Sequence, residues 1–199
     1  MSRLEPLPLD SLNELQDTFN SFKDRMGFIA NSGLIMARRP KILNALGKLA
    51  VAVFDKEEGT VPYSLKSCMG QIASFTTGCL YCQAHFANNT LISGVDEEKL
   101  ENLWNFELSE LFSDEERSAL RFAMAASQIP NGVTDEHFDD LKRHWDDGQI
   151  VEILATVCYV AFLNRWNDSL ATTLEARPAK VGQEHLKGTS WEAGKHGNK

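Results

Sequence analysis

The sequence predicts an all-α protein, a bundle of about eight helices. Three observations predict it. Apolar residues recur at steps of three and four along most of the chain, the spacing of one helix face. Residues that start and stop helices punctuate these stripes. No stretch alternates apolar and polar residues over a useful length, as a half-buried strand would.

The first stripe is Leu12, Leu15, Phe19, Phe22 and Met26, with Ser11 as N-cap and Glu14 completing a capping box. Pro40 opens a second helix carrying Ile42, Leu43, Leu46, Leu49, Val53 and Phe54, and Gly59 closes that region. Pro62 opens a third, with Leu65, Met69, Ile72 and Phe75. Thr76-Thr77-Gly78 breaks the chain before a fourth helix from about Cys79 to Ile92, ended by Gly94. Asp96 caps a fifth through Leu100, Leu103 and Trp104. Ser113 and the acids Asp114, Glu115 and Glu116 start a sixth, where negative charge complements the helix dipole. Thr134 begins a seventh bearing Phe138, Leu141 and Trp145. The last runs from Ile150 to about Leu174 and is apolar on more than one face over Ile153–Leu163, which predicts a central position. This reading gives one helical domain over residues 1–176 and a loose tail over 177–199. Trp191 is the one large apolar side chain of that tail that needs a place to dock.

Composition narrows the function. The chain of 199 residues carries 28 acidic and 20 basic side chains, a formal charge of −8. A nucleic-acid binder usually presents a basic face, and an anionic membrane attracts one, so neither partner is expected. The first thirty residues hold no apolar targeting core, and the stretch Ile153–Leu163 is too short to cross a bilayer. A cytoplasmic protein is expected. Four cysteines are too few for a disulfide scaffold, and their placement is more telling.

Gly78-Cys79-Leu80-Tyr81-Cys82-Gln83-Ala84-His85 is the informative segment. Residues three apart share a helix face, so Cys79, Cys82 and His85 are expected to stack along one side. The break at Gly78 puts both cysteines at a helix N-terminus, where free N–H groups and the dipole lower a thiol pKa. A histidine one turn on can exchange a proton with the thiol. Together these make a redox dithiol in which one cysteine attacks and the other resolves. Other readings remain open. Cys-x-x-Cys plus histidine supplies three zinc ligands, with Cys68, Cys158, His137 or His144 as a distant fourth. Cys68 and Cys158, both in apolar stripes, read as buried small hydrophobes. A dithiol that only senses redox state in a non-catalytic helical oligomer is a further alternative.

These residues, with Leu65-Lys66-Ser67, Ala73-Ser74, Gly94, Leu111-Phe112-Ser113, Glu116 to Ala123 and Phe162 to Asp168, resemble the alkylhydroperoxidase D-like (AhpD-like) branch of the carboxymuconolactone decarboxylase family. The resemblance covers roughly residues 30 to 176. It implies an AhpD-like helical bundle, a homo-oligomer (dimer or trimer), and thiol-dependent peroxidase or disulfide-reductase chemistry without a cofactor. It implies Cys82 as the thiol that attacks a hydroperoxide, Cys79 as a more exposed resolving thiol, and His85 as their partner. A lipoylated or thioredoxin-like dithiol protein would be the reductant. Two departures stand out. Ser67 occupies the position of the family's proton-relay glutamate, and only Gln83 and Ala84 separate Cys82 from His85, one residue fewer than usual. Glu57, Glu58, Glu152 and Asp168 are the carboxylates expected to substitute through the fold, with Gln71 a polar neighbour of the site. The family's lactone decarboxylases need no cysteine pair, so the intact pair argues against that branch.

Asn164-Arg165-Trp166-Asn167-Asp168 reads as a wall of the site, an inter-subunit ion pair or a helix-end polar network. The acids Asp135, Glu136, Asp139, Asp140, Asp146 and Asp147 lack the spacing of a calcium loop and read as a solvated face. No phosphate loop, nucleophile elbow or dinucleotide fingerprint is present.

Overall fold

Caps and glycine stops place the helices, and apolar stripes then gather them. In the computed structural model, which describes residues 2–197, ten α-helices form and no strand occurs among the described residues. They are α1 Gln16–Met26, α2 Asn31–Met36, α3 Pro40–Val53, α4 Tyr63–Thr77, α5 Leu80–Ile92, α6 Glu97–Glu101, α7 Asp114–Ala126, α8 Asp135–Lys142, α9 Asp147–Leu170 and α10 Ala176–His185.

The centre is α4, packed against α5, α7 and α9. Its residues Leu65 to Ser74 are all buried, which a helix achieves only when neighbours cover every face. Gly70 lets α5 approach: a Cβ there would collide with the Phe86 ring. On one side Met69, Ile72, Phe106, Phe122, Leu141, Trp145 and Ile153 share a core. On another, Phe19, Phe22, Met36 and Leu43 seal α1, α2 and α3 together. The start of α7 is held by a capping box between Ser113 and Glu116, and that of α9 by one between Asp146 and Gln149. At 24 residues α9 is long and apolar enough to cross a bilayer, but its contacts with α3, α4, α5, α7 and α8 make it a helix of the bundle.

Several expectations need correction. Ser11 does not cap α1. Its hydroxyl donates back to the Pro8 carbonyl at 2.6 Å, Ser11 itself ends one 3₁₀ turn, a second follows, and the helix begins at Gln16 without a side-chain cap. The fifth helix stops at Glu101, leaving Leu103 and Trp104 on a 3₁₀ turn. The last long helix ends at Leu170, where Ala171 turns left-handed with φ 49°. Two helices, α2 and α10, had no clear stripe.

The tail after residue 176 is not loose. It forms α10, which packs on α5, and then folds back over the same helix. Trp191 docks edge-on against Gly182, where a Cβ would lie 2.6 Å from the indole, and its Nε1 donates to the Leu80 carbonyl at 3.0 Å. The His196 carbonyl accepts from the Leu174 amide at 2.8 Å. The indole supplies apolar burial and the two hydrogen bonds pin the backbone, neither of which the polar, Lys- and Gly-rich composition displays.

Candidate active site

Gly78 sets the site. With φ 75° it ends α4 in the left-handed region that glycine enters without strain, and the chain turns directly into α5. Cys79 is the N-cap of α5: its Sγ accepts the Cys82 amide at 3.4 Å, in the place a serine hydroxyl usually fills. Cys82 follows in the first turn, close enough for the two thiols to hydrogen-bond. No disulfide joins them in this structure.

Both thiols are buried, Cys79 at 1% exposure and Cys82 at 2%. Cys79 is therefore not the more exposed of the two, because the returning tail covers the first turn of α5. Nor is the Cys82 thiol acidified by its helix start. Burial pushes it well above the ordinary thiol range, and the adjacent Cys79 adds to this. The Asn167 amide pulls the other way, donating to Cys82 Sγ at 3.7 Å.

Cys82 and His85 line one cavity of about 90 Å³ between α1–α4, α5 and α9. A single water occupies roughly 10–15 Å³ on this measure, so the space suits a small organic molecule. Its wall is apolar and aromatic: Phe22, Met26, Met36, Leu43, Phe54, Phe86, Tyr159 and Leu163, relieved by Ser67, Asn89 and Asn167. His85 stacks on Tyr81 with ring centroids 4.2 Å apart and meets the edge of Phe28 at 5.3 Å.

The partner that sequence reasoning missed is Glu175. Its Oε2 lies 2.6 Å from His85 Nε2, and its Oε1 accepts from the Tyr81 hydroxyl at 2.9 Å and the Asn31 amide at 2.5 Å. Burial raises this carboxyl, but the facing His85 and the Asn31 N–H outweigh it, and its pKa ends below the ordinary value. An ionised Glu175 fixes Nε2–H as the donor, and Nδ1 makes no hydrogen bond among the described residues. The geometry is that of a carboxylate orienting an acid–base histidine. Nothing near Glu175 in sequence announces it, since ninety residues separate it from His85.

The other expected members lie elsewhere. Ser67 does line the cavity. Glu57 and Glu58 are exposed, Glu152 is bound to Lys66 at 2.6 Å, and Asp168 to Lys195 at 2.7 Å. Gln71 borders a separate cleft with Leu100 and Trp104. Cys68 is buried as expected, and burial pushes its thiol up to about 12, whereas Cys158 is exposed on the outer face of α9. Among the described residues no three His, Cys, Asp or Glu side chains converge as a metal site, so Cys68, Cys158, His137 and His144 do not complete a zinc set.

No protein-family model matches the chain, and no curated protein does. Solved structures do. The apo form of the debrominase Bmp8 superposes with a TM-score of 0.85 at 31% identity, covering 91% of this chain and 96% of that one. A Cys→Ala variant of the same enzyme, in complex with 2,3,4-tribromopyrrole, gives 0.86 at 31% identity with the same coverage. A peroxidase-related protein of Ralstonia eutropha JMP134 with an AhpD core gives 0.77 at 19% identity, covering 89% and 94%, and shares the fold. The cysteine pair at a helix start, the ten-helix bundle and a relative at 31% identity along nearly the whole chain agree: the chain belongs to the AhpD-like branch of the carboxymuconolactone decarboxylase family.

Proposed function

We propose that this protein is a dithiol reductase that passes two electrons from Cys82 and Cys79 to a small apolar electrophile, and that the substrate class is a halogenated aromatic ring. One observation carries the reading: Cys82 sits in the wall of an aromatic cavity, with the Cys79 thiol against it and His85, held by Glu175, bordering the same space.

The Cys82 thiol is neutral at rest, so attack needs a base. His85 takes the proton, and the imidazolium is stabilised by ionised Glu175. The thiolate attacks the halogen, the carbon–halogen bond breaks toward the ring, and the ring carbon takes the proton back from His85. An arene C–H and a sulfur–halogen bond at Cys82 result. The Cys79 thiol then attacks Cys82 Sγ, releasing halide and a proton and leaving a disulfide. In sum, one carbon–halogen bond is reduced and two thiols are oxidised. An external thiol restores the pair by exchange, and a reducing cytoplasm suits that cycle. The aromatic lining and the halogenated pyrrole held by a Cys→Ala variant of the debrominase support this substrate class.

A second reading is favoured by the peroxidase-related structures that share the fold. The same thiolate would attack the outer oxygen of a hydroperoxide; the O–O bond breaks, the alkoxide leaves as the alcohol with the proton His85 took from Cys82, and the sulfenic acid at Cys82 condenses with the Cys79 thiol to a disulfide, releasing water. Here His85–Glu175 stands in for the relay glutamate that Ser67 replaces. The test supplies dithiothreitol and measures bromide released from a bromopyrrole, and separately consumption of cumene hydroperoxide, in wild type and Cys82→Ser. Bromide release lost in the variant supports the first reading, and hydroperoxide consumption alone supports the second. Turnover of neither by the wild type, or turnover that survives in Cys82→Ser, overturns both.

A further inference from the structure

The two cysteines face different spaces. Cys82 borders the apolar cavity, whereas Cys79 borders a second one of about 270 Å³, and the two linings share no residue. The second is polar. Beside Cys79 stand Thr76, Thr77, Ser127, Asn164, Arg165 and Asp168. Two donors there are unused. Asn164 is 3% exposed; its Oδ1 accepts from Ser74 at 3.1 Å, but its Nδ2 is buried without a hydrogen-bond partner. The Arg165 guanidinium makes no ion pair or hydrogen bond among the described residues. Asp168 borders the same cavity but is already paired with Lys195 at 2.7 Å and faces His196 at 3.7 Å. The surplus charge of the cavity is therefore positive.

We infer that this second cavity admits the reductant, a low-molecular-weight thiol carrying a carboxylate, which Arg165 receives while its sulfur reaches Cys79. The inference rests on the dithiol reading above and names the electron donor of that site. A carboxylate accepts two parallel hydrogen bonds from a guanidinium, and Arg165 is the charged donor the cavity leaves open. A slender thiol fits better than a folded protein's surface cysteine, because Cys79 is only 1% exposed. The reductant thiolate attacks Cys79 Sγ in the Cys79–Cys82 disulfide. The old S–S bond breaks, a mixed disulfide forms at Cys79, and Cys82 leaves as a thiolate that takes a proton. A second equivalent attacks the mixed disulfide, releasing the oxidised reductant as its own disulfide and restoring Cys79. Substrate and reductant thus need not share one mouth.

The experiment oxidises the protein with diamide, verifies the Cys79–Cys82 disulfide by mass, and follows its reduction by 3-mercaptopropionate and by neutral 2-mercaptoethanol. The reading is the ratio of the two rate constants compared between variant and wild type, a comparison that cancels the intrinsic reactivity of each thiol. Arg165→Met is expected to lower the ratio of mercaptopropionate to mercaptoethanol about tenfold, the order of a lost charge-assisted hydrogen bond. Arg165→Glu is expected to lower it further and to favour cationic cysteamine. A ratio unchanged in both variants overturns the inference and leaves the dithiol reading intact. Failure of the folded wild type to form the disulfide with diamide overturns the dithiol reading, and the inference with it.

Discussion

Glu152 and Glu175 each hold a buried basic side chain in this bundle, and they do different work. Glu152 Oε2 meets Lys66 Nζ at 2.6 Å, and Lys66 is fully buried, with a second bond to the Val53 carbonyl at 2.9 Å. The remaining capacity of Glu152 is filled by the Thr60 amide and hydroxyl at 2.9 and 2.7 Å and the Val61 amide at 3.3 Å. Burial would raise its pKa, but Lys66 and these donors bring it down to about 2. Glu175 is equally well bonded, yet its partner is His85, an imidazole that borders a cavity and can both accept and donate a proton. A lysine enclosed by acceptors fastens α4 to α9, and Glu152 holds the loop before α4 as well. A histidine with one nitrogen tied to a carboxylate and the other without a hydrogen bond among the described residues can carry a proton. What separates fastening from chemistry is the titratability of the cation and the space it borders, not the burial of the pair.

The first way to break this comparison is Glu175→Gln. The amide keeps the shape and removes the charge that supports the imidazolium. The rate of Cys82 oxidation by substrate is expected to fall by about 10²–10⁴, the range of general acid–base help. A stopped-flow rate equal to wild type would show that Glu175 only fastens. The complement is Glu152→Ala, which strands the Lys66 ammonium in the core. Urea unfolding should show a loss of about 3–5 kcal/mol, the cost of orphaning a buried ion, with the chemical step little changed in the folded fraction. The double change Lys66→Met with Glu152→Leu should recover most of that loss, since a packed apolar pair is often as stable as the ions it replaces.

Acid sharpens the same contrast. The folded pKa of Glu152 is depressed, so the stability it contributes is complete above its unfolded value near 4.5 and is lost as pH falls toward about 2. Glu175, also depressed, adds in the same direction. Stability measured from pH 6 downward should fall less steeply in the double apolar variant than in wild type. Iodoacetamide labelling of Cys82 should accelerate with pH through the ordinary thiol range without reaching a plateau, because burial holds the thiol protonated. A plateau below pH 8 would contradict the buried geometry. The smallest effect concerns the tail: Trp191→Phe keeps an aromatic ring over Gly182 but removes the bond to the Leu80 carbonyl, with an expected cost of about 1 kcal/mol.

What the sequence made legible was local. The stop at Gly78, the start at Pro40 and the acids of the α7 first turn act within one helical turn, and the structure follows them. The Cys79–Cys82–His85 segment is local too, although its cysteines open onto different cavities rather than one side. Ser11 shows how a local signal fails: the same hydroxyl can bond backward or forward, and here it bonds backward to Pro8. The rest depends on long-range contact. Glu175 reaches His85 across ninety residues, and Asn167 reaches Cys82 across eighty-five. No periodicity or cap encodes such pairs. The tail was obscured differently, since its docking rests on a single indole and on backbone hydrogen bonds that composition does not display.

The central claim is that Cys82 and Cys79 act as one two-electron pair. It is tested most directly by intact-protein mass after alkylation of free thiols, before and after one equivalent of a bromopyrrole or an organic hydroperoxide, in wild type and Cys82→Ser. The account predicts rapid loss of two alkylatable thiols in wild type, mapped to Cys79 and Cys82, and none in the variant. Both thiols remaining free in wild type, with each electrophile intact, would contradict it.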